Sequence, residues 1–217
     1  DRDVTGVQTC ALPIFLTTVM EHHANFVPWQ QVAIRTGAQL KLMPLTPDGR
    51  LDATAFDTVF TERTKVVAVT AMSNMLGTIN PIREIARRCR RVGACLVVDG
   101  AQSVPHFPTS VAADDIDFLV FSGHKTYGPT GVGVLYGRRS RLEEMEPVVF
   151  GGHMISEVAI DRSTWSSPPA KFEAGTMPIV QVIGLGAAIR WLQQIGLAAV
   201  HQHEEELTRQ LYAGLRE

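Results

Sequence analysis

The sequence lacks the features that would commit it to several common classes. It has three cysteines, at positions 10, 89 and 95, spaced neither as a metal site nor as a disulfide framework. That argues against a disulfide-stapled secreted scaffold, gives no reason to expect a metal, and makes a reducing cytoplasmic compartment the default. No apolar run approaches the roughly 18 residues of a membrane helix, so a soluble chain with no membrane partner is expected. Neither sign of charge is in excess: 20 Lys and Arg face 22 Asp and Glu, for a net charge of −2. That balance gives no reason to expect nucleic acid or an anionic membrane. Internal repeats and low-complexity tracts are also absent. What is present, 217 residues of which 45% are hydrophobic, can bury a substantial core in one or two domains.

The first residues are set apart. Residues 4–14, VTGVQTCALPI, match the in-frame translation of a common sequencing adapter. Residues 1–14 are therefore expected to be non-native, forming an irregular tail or an accidental strand with few core contacts, and Cys10 to carry no meaning. The folded part is expected over 15–217, an incomplete large domain.

From Phe15 onward short apolar runs alternate with amphipathic stretches. FLTTVM (15–20), QLKLMPL (39–45), KVVAVTAMS (65–73), CLVVDG (95–100) and IDFLVFSG (116–123) read as strands. PWQQVAIRTG (28–37) reads as a helix stopped by Gly37, 53–62 as helical, and Pro81 opens a helix that runs to Arg91. This alternation predicts an α/β fold: a mostly parallel sheet with helices on both faces. The link between 123 and 131 is too short for a crossover helix, so GVGVLYG (131–137) is expected as one antiparallel strand. SSPPAKFEAGT (166–176) reads as loop, and 179–196 and 198–215 as helices.

Ligands of open α/β sheets bind beyond the carboxyl ends of the strands. The reactive side chains collect there: His22 and His23 after FLTTVM, Asn74 after KVVAVTAMS, Asp99 in CLVVDG, and Ser122, His124 and Lys125 after IDFLVF. A lysine that forms a Schiff base needs a neutral amine, which burial or a neighbouring cation favours. Lys125 follows a buried strand inside the glycine-rich loop SGHKTYGPTG, whose glycines allow close approach of backbone to an anion. Asp99 is a carboxylate suited to a pyridinium nitrogen, and His22 offers a ring to stack on another. Each has an ordinary alternative: a solvated loop lysine, an Asp that only caps a helix, a satisfied pair of histidines. GPTGVGVLYG precedes a strand and opens no helix, which argues against a dinucleotide loop. Cys89, on a helix, and Cys95, opening a strand, read as structural.

With these residues in place, the sequence resembles the fold-type I, class V aminotransferase-like enzymes that use pyridoxal 5'-phosphate (PLP). It is most similar to the cysteine desulfurases of the SUF iron–sulfur system and their selenocysteine lyase relatives. MEHHANFVPWQ (20–30), SNMLGTINP (73–81), VVDGAQSVPH (97–106), DFLVFSGHKTYGPTGVGVLYG (117–137) and FEAGTMPIVQVIGLGAAI (172–189) carry the resemblance. It implies that Lys125 holds PLP as a Schiff base and moves the substrate α-proton. It further implies that His22 stacks on the cofactor and handles protons, and that Asp99 pairs with the pyridinium nitrogen. Asn74 and Gln102 would approach the ring hydroxyl or substrate, Ser122 and His124 the phosphate, and Thr176 the phosphate of the partner in a homodimer. The implied activity converts L-cysteine to L-alanine and passes sulfur to an acceptor protein.

The departures from the family bear on activity. Its members begin on the order of a hundred residues earlier, a domain-sized difference, with a glycine–threonine loop not found here. The substrate-carboxylate arginine and the persulfide cysteine belong to a small domain beyond residue 217, so this fragment is expected to be inactive alone. Met177-Pro178 stands where Pro-Asn is more usual. A selenocysteine lyase, another class V lyase and a non-catalytic PLP-fold scaffold are the alternatives. The joint presence of Lys125, Asp99, His22 and Gln102 weighs against the scaffold.

Overall fold

The computed structural model describes residues 12–216. Its main feature is a six-stranded sheet, mostly parallel with one antiparallel pair, flanked by helices and ordered β2-β1-β3-β4-β5-β6. The strands are β1 (Ile14–Thr18), β2 (Gln39–Met43), β3 (Thr64–Thr70), β4 (Cys95–Asp99), β5 (Phe118–Ser122) and β6 (Gly133–Gly137). Helices α1 (His23–Thr36), α2 (Phe56–Val59) and α3 (Ile82–Val92) fall among the first five strands. After β6 come α4 (Arg139–Glu144), the hairpin strands β7 (Ile155–Val158) and β8 (Ser163–Trp165), α5 (Ile179–Ile195) and α6 (Leu197–Gly214). No single helix among the described residues is long and apolar enough to cross a membrane.

The chain divides into two compact units, Asp1–Phe121 and Ser122–Glu217. In the first, β1 pairs in parallel with β2 and β3, and β3, β4 and β5 follow in parallel. Register places Thr70 opposite Asp99, and Asp99 opposite Val120, so these strands finish level with one another. Leu16, Val67, Val69, Leu96 and Val98, aligned with one another by register, are fully buried on one face of the sheet. Helix α3 shows why local sequence suffices there. Ile85, Ala86 and Cys89 lie at helical spacing and are buried, Arg90 and Arg91 occupy the last turn, and Gly93 closes the helix at φ 70°.

Several boundaries differ from those read in the sequence. Ile14, assigned above to the tail, opens β1, pairs with Gln39 and Thr64, and is fully buried. The full burial of Ile14 runs against the expectation of few core contacts, while Leu12 is only half-buried; residues 1–11, Cys10 included, lie outside the described residues. Helix α1 starts at His23 instead of Pro28, which sits inside it, because side-chain hydrogen bonds at His22 and Asn25 start the helix earlier. The stretch 53–62 splits into a 3-10 turn, Ala53–Ala55, and the single turn of α2, with Asp52 accepting from Thr54 N at its start.

Gly100, next to Asp99, is required by space. A Cβ there would sit 2.7 Å from Leu119 Cδ1 and 3.0 Å from Val104 Cγ2. Gly100→Ala is therefore expected to lower stability by about 1–3 kcal/mol, the usual cost of overpacking a filled core. Urea denaturation would measure it; an unchanged midpoint would show that Leu119 and Val104 yield freely.

Candidate active site

Of the residues singled out above, His22, Asn74, Asp99 and Gln102 stand in the first unit, and Ser122, His124, Lys125 and Thr176 in the second. His22 is the N-cap of α1, in extended backbone (φ −61°, ψ 147°), with Nδ1 accepting from Ala24 N at 3.1 Å. A ring nitrogen that accepts carries no proton, so the neutral imidazole bears its proton on Nε2. The exposed His22 and Asn74 share one cleft of about 570 Å³, lined also by Glu21, His23, Ser73 and Met75. The loop that carries Asn74 is built on Ser73: its Oγ accepts from Met75 N and Leu76 N, and its N–H donates to Thr78 O. Asn80 anchors the far end by donating to Thr70 O at 2.8 Å.

Asp99 is the last residue of β4 and is half-buried. Its Oδ1 accepts from Ala101 N at 2.9 Å within a turn, and since no helix lies between β4 and β5 the helix-capping alternative does not apply. Oδ2 has no hydrogen-bond partner among the described residues, and that oxygen can accept from a protonated ring nitrogen. Gln102 is half-buried in the turn that follows.

In the second unit Lys125 ends a 3-10 turn, Gly123–Lys125, directly after β5, and is half-buried. Backbone fixes the turn: Thr126 N and Gly128 N both donate to Gly123 O at 2.9 Å, and Gly123 N to Val132 O at 2.9 Å. Thr126 Oγ1 donates to Ser122 O at 3.1 Å. Ser122 is half-buried and His124 exposed. The loop is then braced by α5. Gly184 lets the helix approach so closely that a Cβ there would lie 2.6 Å from Pro129 Cγ. Tyr127, in left-handed backbone at φ 59°, meets Trp191 edge to face at 5.7 Å. Thr176 lies apart, exposed on a cleft of about 460 Å³ with Gly152, His153, Gly175, Met177 and Ile179, whose lining includes none of Ser122, His124 and Lys125.

Sequence reasoning missed two contributors. Glu21, not singled out in the sequence, is buried with a hydrogen bond to each oxygen, from Thr18 and from Asn25. Burial raises its carboxyl pKa above the usual range, hydrogen bonds from Thr70, Thr18 and Asn25 oppose this, and the Asp99 charge adds to the rise. The bracing face of α5 was the other; its small residue Gly184 was the available signal. The structural reading of Cys89 agrees with its burial, which pushes the thiol up to about 12 against the opposing pull of Arg90.

Residues 13–217 match the family described as Aminotransferase class-V. The chain belongs to that family. It is 53% identical over 192 residues to a probable cysteine desulfurase of Halalkalibacterium halodurans, a match covering 88% of this chain and 47% of that one. Among solved structures it resembles the S-sulfonic acid form of the cysteine desulfurase CsdA from Escherichia coli. That match has 42% identity and a TM-score of 0.84, over 87% of this chain and 47% of the other. It also resembles a C-DES variant with glycine covalently linked to the PLP cofactor, at 28% identity and a TM-score of 0.84, over 95% and 56% of the two chains. The chain spans about half the length of the curated relatives it matches.

Proposed function

We propose that this chain is the PLP-binding portion of a cysteine desulfurase, with Lys125 as the covalent anchor of the cofactor. The observation that carries the reading is Lys125 itself: a half-buried amine on a backbone-pinned turn at the end of a strand. The donor set suits PLP. Lys125 supplies an amine, Asp99 an open carboxylate oxygen, His22 a ring with a defined proton position, and Ser122 and His124 a hydroxyl and an imidazole for a phosphate. When bound, PLP supplies an electron sink that stabilises negative charge at the substrate α-carbon.

The remaining roles belong to the chain. Asp99 Oδ2 holds the ring nitrogen protonated while Oδ1 stays on Ala101 N. The Lys125 amine takes the α-proton and returns it. His22, with its proton on Nε2, orients the ring and donates. Asn74 and Gln102 bind the substrate or the ring hydroxyl, and Thr176 serves the phosphate site of a second copy in a homodimer. In the net reaction the carbon–sulfur bond of cysteine breaks, sulfur passes to a thiolate, and the carbon gains a proton to give alanine. Cys89 is unsuited to be that thiolate, because it is buried and its thiol stays protonated. The sulfur then leaves on an acceptor protein, and the reducing cytoplasm is the compartment in which such thiol chemistry is sustained.

The test adds PLP to the purified protein, reduces with borohydride and maps the modified peptide. Label fixed on Lys125 is the expected result. Given cysteine and a thiol reductant, the complete enzyme that carries this chain is expected to form alanine well above the rate of free PLP. Label spread over surface lysines, or alanine at the free-cofactor rate, would remove the reading. Selenocysteine in a parallel reaction separates the two substrates.

A further inference from the structure

Glu21 has no part in the chemistry above, yet it is a buried carboxyl, 8% exposed, directly before His22 in the chain. Its Oε1 accepts from Thr18 Oγ1 at 2.8 Å, and its Oε2 from Asn25 Nδ2 at 2.6 Å. Thr18 is the last residue of β1, and Asn25 lies in the first turn of α1. The carboxylate therefore spans the turn whose exposed residue, His22, caps the helix. The network extends both ways. Thr18 Oγ1 accepts from Met20 N at 3.1 Å, Trp29 Nε1 donates to Asn25 Oδ1 at 3.2 Å, and the Trp29 ring packs edge-on against Phe15 of β1. Burying a carboxyl costs stability unless its hydrogen bonds are made, and here each oxygen has one. An apolar residue would fill the same space without that cost, but it would bond to neither end of the turn.

We propose that Glu21 is a positioning residue for His22: it clamps the β1–α1 turn from both sides and so fixes the geometry in which His22 Nδ1 accepts from Ala24 and Nε2 bears the proton. The clamp stands on geometry within the first unit; that His22 matters to turnover rests on the reading given above. Asp99 also acts electrostatically on Glu21, which links the clamp to the carboxylate assigned to the cofactor ring.

The readout is the imidazole of His22 in protein labelled with 15N-histidine, its signals assigned by their loss in His22→Gln. The native protein is expected to show one neutral tautomer, with Nε2 protonated and Nδ1 an acceptor, with or without PLP. Glu21→Ala is expected to mix the tautomers. Glu21→Gln, which keeps the length and one acceptor oxygen, is expected to restore most of the native signal. In the complete PLP-loaded enzyme, Glu21→Ala is expected to lower kcat on the order of tenfold to a hundredfold, as misplacing a reacting group does. A native His22 signature in Glu21→Ala overturns the proposal. If that variant does not fold, Thr18→Val removes one arm of the clamp and is read the same way, with a native tautomer again counting against the proposal. Failure of the cofactor reading shows separately, as native protein in which borohydride fixes no PLP on Lys125, while the His22 signals of the cofactor-free protein still decide the clamp.

Discussion

Lys125→Ala is expected to lower alanine formation by the complete enzyme by about 10²–10⁴-fold, the range for loss of a positioned proton-transfer group, and to abolish borohydride-fixed PLP. The fold is expected to survive. The turn's hydrogen bonds run through Ser122 O, Gly123 O, Gly123 N, Thr126 and Gly128 N, and none uses the lysine side chain. Stability is therefore expected to change by less than about 1 kcal/mol, as for substitutions that empty no core and break no network. The two measurements belong together. Lost activity with a native melting temperature assigns chemistry to the amine, whereas equal losses of both would make Lys125 a structural residue. Retained turnover and retained PLP label in the alanine variant would leave Lys125 without the role proposed for it.

Arg90→Ala is expected to have the largest effect on stability, about 3–5 kcal/mol, the cost of leaving a buried charge without its partner. Asp117 is 1% exposed, and its Oδ2 accepts from Arg90 Nη1 at 2.8 Å and from Leu96 N at 2.9 Å. Arg90 also bonds Asp115, through Nε at 2.8 Å and through Nη2 to the backbone oxygen at 2.7 Å. One guanidinium thus ties the last turn of α3 to the start of β5, and through Asp117 to β4. The contrast is Arg83→Ala. Arg83 pairs with Asp114 at 2.8 Å but is 66% exposed, and its loss is expected to cost under about 1 kcal/mol. Urea denaturation of both variants would measure the difference. Equal midpoints would show that Asp117 finds water or another donor once Arg90 is gone.

Strand ends carried the information that was legible in the sequence. CLVVD and FLVFS announce strands by composition alone, and the residues after them follow directly, although neither strand is buried along its whole length: CLVVD is buried at alternate positions and Val120 of FLVFS is exposed. The lysine turn was legible for the same reason. What escaped reading depends on contacts between distant segments or on exposure. The β7–β8 hairpin is short and its ISEV strand is exposed throughout, so no alternation marks it. The start of α1 was misread because proline is the stronger local signal, while the His22 cap and the Glu21–Asn25 bond are visible only in three dimensions. Thr176 was legible as a motif residue, but its exposed cleft with His153 was not.

The brace that α5 lays on the lysine loop has a consequence for rate. An amine on a free loop samples many orientations, and each encounter with a bound ligand must again lose that freedom. Seating Pro129 against Gly184 and Tyr127 against Trp191 settles that entropy at folding. In the role proposed for it, the amine would then act at high effective molarity, as if the reaction had become unimolecular. Lys125 and the α5 residues that brace its loop are more than fifty positions apart, so on the proposed role part of its reactivity would be encoded in a helix that carries none of the proposed chemistry.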